Sequence, residues 1–172
     1  MLPARRVAAA GDILVDEVKR RLLAGEQPAE KYVGGRDEDA EELVESMFRL
    51  AEEMYEGRKV RYLTRLTAAR IFDQDELSHA SDMYLIKLME HLSFRQLEML
   101  AFFDGSAAVE RSDWWTGESV ERLAALGEVE DLRTWGLIHG PGDIRHHLAP
   151  GLIHRTELGQ KLHDAAGLGE LD

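Results

Sequence analysis

Apolar residues recur at helical spacing along most of the chain, and the breaks in that rhythm divide it into elements. Leu14, Val18 and Leu22 fall every fourth residue, with Asp16, Glu17, Lys19 and Arg20 on the other faces. That pattern predicts a first helix over about 7–24, ended by Gly25. Residues 26–36 hold Pro28, Gly34 and Gly35 with few spaced apolar positions, and read as a linker. From Asp37 to Phe72 the rhythm returns, through Ala40, Val44, Met47, Ala51 and Met54, then Tyr62, Leu66 and Ala69 or Arg70. Asp39 followed by Glu42 resembles a capping box for its start. Unbroken, such a helix would measure roughly 54 Å at 1.5 Å per residue. The radius of gyration of a compact chain of this size is only about 16 Å. The segment must therefore fold back at Gly57, or project and bury its stripe against a second copy of the chain. The expectation leans to projection and a homodimer through 37–72.

Beyond a polar turn at 73–78, Met83, Ile86, Met89 and Leu92 predict a helix over 79–91. Ser93 and Gln96 form a second capping box, so a new helix opens at Phe94. A boundary near residue 92 gives a helical docking or dimerisation region, 1–92, and a second domain, 93–172. In the latter, two short helices are expected over 118–125 and 128–135, closed by Gly127 and Gly136. Strand candidates follow at 137–139 and 152–154, and a last helix capped by Thr156 runs through Leu158, Leu162 and Ala165 to Gly167.

The run Trp135-Gly136-Leu137-Ile138 after Val129 and Leu132, then Leu152 to His154, then Arg155-Thr156-Glu157-Leu158-Gly159 with Leu162, resembles a winged-helix domain. Members of that family often end the third helix on Leu, two or three polar residues and Gly-Leu-Ile, and open a helix after the wing with Leu-Thr-x-x-Gly. The resemblance covers about residues 93–168. Together with the helical periodicity of 1–92, it gives a mainly α fold: an N-terminal helical region with a long helix, followed by a small winged-helix-like domain of helices and one short β-hairpin. It also implies that 128–135 would carry DNA-reading side chains, with Arg133, Arg145, His146, His147 and Arg155 in contact positions.

Charge argues against that use. The 172 residues include 21 Lys plus Arg and 33 Asp plus Glu, a formal charge of −12. A nucleic-acid binder gains much of its affinity by replacing counterions with Lys and Arg. Over 93–172 seven basic residues face fourteen acidic ones, and the expected reading helix offers Glu128, Glu130 and Asp131 against Arg133. A winged-helix scaffold used for protein contact, in a non-catalytic regulatory module, is the expected function. A dimeric transcriptional regulator is the alternative.

The distribution of charge in the first domain sharpens the partner expectation. Residues 37–56 carry nine acidic groups and one basic, whereas 57–70 carry five basic groups and no acid. Opposite blocks on one segment align an antiparallel neighbour, and Arg58, Arg61 and Arg65 are candidate partner contacts there. Trp114 and Trp115 form an aromatic pair in an expected loop, a second candidate.

No catalytic constellation is present. The chain has no Cys, which removes thiolate chemistry and Cys-ligated zinc. It has no P-loop, GxGxxG or HExxH, and Gly117-Glu118-Ser119-Val120-Glu121 misses the nucleophile elbow at its last position. Five of seven histidines fall in the last 34 residues, and a hairpin could set His139 opposite His154. Glu76-Leu77-Ser78-His79 matches one Glu-x-x-His unit of di-iron bundles without the second copy such a site requires. No metal or cofactor is therefore expected. The apolar stretch after Arg5-Arg6 is interrupted at Asp12, Asp16 and Glu17, unlike a secretory signal. With no membrane span either, a cytoplasmic protein is expected.

Overall fold

A computed structural model describes residues 3–33, 37–74, 78–103, 120–140 and 153–168. Among these it contains eight helices and one two-stranded antiparallel hairpin, so the mainly α class with a short hairpin is what the sequence adopts. The chain divides into two compact units, Met1–Leu92 with Ala165–Gly167, and Ser93–Asp164 with Leu168–Asp172. None of the helices is long and apolar enough to cross a membrane, among the described residues.

The first unit holds α1 (Pro3–Leu23), α2 (Glu30–Val33), α3 (Asp37–Glu53), α4 (Gly57–Phe72) and α5 (His79–His91). Helix α4 is its axis: α1, α3 and α5 all pack on it, and it is buried on nearly every face from Val60 to Phe72. Two threonines inside that apolar environment satisfy their hydroxyls locally, Thr64 Oγ1 donating to Val60 O and Thr67 Oγ1 to Leu63 O. The core around it comes from Leu43, Met47, Leu50 and Ala51 of α3 and from Leu85, Ile86 and Met89 of α5.

Four expectations change here. The 37–72 segment is two helices in contact, separated at Met54–Glu56, so no long helix projects from the body. Met54 is buried at the break, where turning back lets α3 and α4 bury their stripes in one core. Asp39 consequently lies inside α3, two residues past its start, and does not cap it. Helix α1 buries Arg6, Ala10 and Leu14 rather than the Leu14–Val18–Leu22 stripe, and Leu22 is 49% exposed. Arg6 buries its stem, donates from Nη2 to Glu52 O at 2.6 Å and lies 5.3 Å from the Tyr55 ring centre. Finally, the expected linker contains α2, which buries Tyr32, and the buried Ala29 just before it ties the segment to α4 by donating its N–H to Ile71 O.

The second unit contains α6 (Phe94–Phe102), α7 (Val120–Thr134), β1 (Ile138–His139), β2 (His154–Arg155) and α8 (Glu157–Ala166), whose last residues group with the first unit. Helix α6 opens on the expected capping box, with Gln96 N–H on Ser93 Oγ at 3.0 Å and Ser93 N–H on Gln96 Oε1 at 2.8 Å. Ser93→Ala should cost about 1 kcal/mol, read as a lowered urea midpoint at unchanged slope. The two short helices expected over 118–135 are instead the single helix α7, which runs through an exposed Gly127. It ends at Gly136, whose φ of 70° lets Leu137 N–H reach back to Leu132 O. The hairpin then pairs Ile138 with Arg155 and His139 with His154.

Candidate functional site

Polar side chains gather in both units. In the first unit, α5 turns Asp82 into the core, where its side chain is fully buried, opposite Arg70 of α4, which is 1% exposed. Arg70 Nε donates to Asp82 Oδ1 at 2.6 Å. On the other oxygen, the Tyr32 hydroxyl donates at 2.5 Å and Lys31 Nζ lies at 2.9 Å, both from α2. Arg70 Nη1 also donates to Asp73. A buried carboxylate held by three donors is a satisfied structural anchor. Burial first, then the hydrogen bond to Asp82, pushes the Tyr32 phenol well above its ordinary range, so it remains a donor. Arg70 thus faces inward, whereas Arg58 and Arg61 of the same basic stretch are exposed and Arg65 is half-buried.

Beside this anchor, three potential metal ligands converge from two helices. Asp39 and Glu42 lie three residues apart on one face of α3, and His79 opens α5. His79 Nε2 is 3.0 Å from Glu42 Oε2, and one ligand atom from each of the three residues lies within 4.8 Å of the others. The Tyr32 ring meets the imidazole edge-on at 6.2 Å. The first residue of the Glu76–His79 unit lies outside the described residues. The Asp39–Glu42–His79 grouping had no sequence signature, because His79 is 37 positions from Glu42.

In the second unit the hairpin does set His139 across from His154, with ring centres 5.7 Å apart and both side chains exposed. No third ligand joins that pair among the described residues. Arg155 is turned into the unit: Nη1 donates to Leu100 O and Ala101 O at 2.9 and 3.1 Å, and Nε to Gln160 Oε1 at 2.8 Å. Arg133 Nη1 lies 3.9 Å from Glu130 Oε2. Along the same helix Glu128 pairs with Arg95 at 3.0 Å, and Asp131 accepts from Gln96. Trp114, Trp115, Arg145, His146 and His147 lie outside the described residues.

No family model matches the chain, and neither a curated protein nor a solved structure matches it.

Proposed function

We propose that this chain is a non-catalytic regulatory module of the cytoplasm that works through protein contacts, its second unit using a winged-helix-like scaffold for contact rather than for reading DNA. The observation that carries this reading is the polarity of α7 and the hairpin. A helix that reads a major groove needs donors for phosphates and base edges. Here Glu130 and Asp131 are exposed, Arg133 lies beside Glu130, and Arg155 is committed to three acceptors of its own unit.

Anisotropy of a labelled mixed-sequence duplex at low salt tests this. No saturable binding is expected up to about 100 μM protein, the weak end of non-specific DNA affinity. Micromolar or tighter binding that weakens with salt and is lost in R133A or R145A would replace this reading with the DNA-binding one.

The same proposal makes a second copy of the chain one of the partners, through 37–72. Its support is charge: α3 exposes Glu38, Glu41, Glu45 and Glu52, while α4 exposes Arg58 and Arg61. Complementary faces of this kind steer association and fix its register. Sedimentation should show a dimer at micromolar concentration that R58E/R61E dissociates. A monomer there would remove self-association from the proposal.

A further inference from the structure

We propose that Asp39, Glu42 and His79 bind a divalent transition-metal ion, with Zn2+ the best match, and that the ion staples α3 to the start of α5. One imidazole with two carboxylates is a donor set for a borderline ion, whereas Mg2+ and Ca2+ are held by oxygen ligands.

The geometry lies close to what coordination demands. With metal–ligand bonds of about 2.0–2.1 Å, ligands at tetrahedral angles stand roughly 3.4 Å apart. The Glu42–His79 separation is 3.0 Å, and no separation among the three ligand atoms exceeds 4.8 Å. Glu42 is exposed, so rotation of its side chain is unhindered by the core. The two α3 ligands are fixed relative to each other by their spacing on one helix, and the Tyr32 ring braces the imidazole from its edge.

His79 Nε2 faces the Glu42 carboxylate, so the imidazole already presents to the cluster the nitrogen that would bind an ion. Three protein ligands leave at least one coordination position for water.

The test uses untagged full-length chain stripped with EDTA. Calorimetric titration with Zn2+ should give one site of micromolar affinity, Zn2+ should raise the thermal midpoint, and Mg2+ should do neither. E42A, a change at an exposed position, and H79A should each weaken Zn2+ binding by at least about tenfold, since loss of an outer-shell partner alone costs that much. H139A/H154A should leave it unchanged. Should H79A fail to fold, E42A carries the test. The proposal is overturned if Zn2+ does not bind, if E42A binds it as the natural chain does, or if binding disappears in H139A/H154A, which would place the ion on the hairpin.

Discussion

Asp82→Ala should lower the stability of the first unit by about 3–5 kcal/mol, the cost of removing one partner of a buried ion pair. The side chain is fully buried and takes hydrogen bonds from Arg70 and Tyr32 and an ion pair from Lys31. Its loss affects the three donors unequally. Lys31 is partly exposed and can swing its ammonium to water. Tyr32 keeps a buried hydroxyl without its acceptor, a desolvation cost of about 1–3 kcal/mol. Arg70 suffers most, because its guanidinium is 1% exposed and loses the fully buried carboxylate that answers its charge. At about 2–4 °C per kcal/mol for a chain of this size, the midpoint should fall by roughly 10 °C. The double variant R70M/D82L removes the charge together with its partner, and should unfold at a higher temperature than D82A alone. A D82A midpoint within a degree or two of the natural chain would mean that water reaches Arg70, and would contradict the burial on which the anchor rests.

Asp82 also marks where sequence reading fails. It stands among His79, Ala80, Ser81 and Met83 at a position where any polar residue of an amphipathic helix could face water. Its inward direction depends on Arg70 and on a four-residue helix too short to have a period. Arg70 carried a hint, since it shares a helical face with Leu63 and Leu66, yet a charge on an apolar face needs its partner before it can be placed. The Asp39–Glu42–His79 cluster was hidden in the same way: two of its members look like a cap, and the third is a lone histidine from another helix. What could be read ahead was local chemistry. The Ser93–Gln96 capping box, the span of α5, Gly136 in the left-handed region and Thr156 at the start of α8 each involve residues within a few positions of one another. Periodicity does not choose between a break near Gly57 and an unbroken helix, nor does it show that α7 continues through Gly127. Whether two helical stretches join is settled by which faces find a core.

Gly159→Ala should destabilise the second unit by about 3 kcal/mol, at the upper end of overpacking costs. Considered alone, α8 predicts the opposite sign, because Ala is favoured over Gly inside a helix by about 1 kcal/mol. The hairpin reverses it. A Cβ on Gly159 would stand 1.9 Å from Leu137 O and 2.9 Å from Leu137 C, and both obstructing atoms are backbone. Neither can turn aside as a side chain would. Leu137 is held from both directions, its N–H on Leu132 O and its carbonyl accepting from Thr156 N–H at 3.0 Å. Thr156 in turn donates through Oγ1 to Gly136 O and accepts from Gly159 N–H. Moving α8 away by the required ångström or more would therefore break the turn after α7, the start of the hairpin and the helix cap together. Gly127 supplies the control, since it lies inside α7 with nothing within 4 Å of an added Cβ. Gly127→Ala should stabilise by about 0.5–1 kcal/mol. Opposite shifts of the thermal midpoint in G159A and G127A would establish that the glycine of Thr156-Glu157-Leu158-Gly159 is required by contact with the hairpin. A rise in both would mean that α8 does not lie against Leu137.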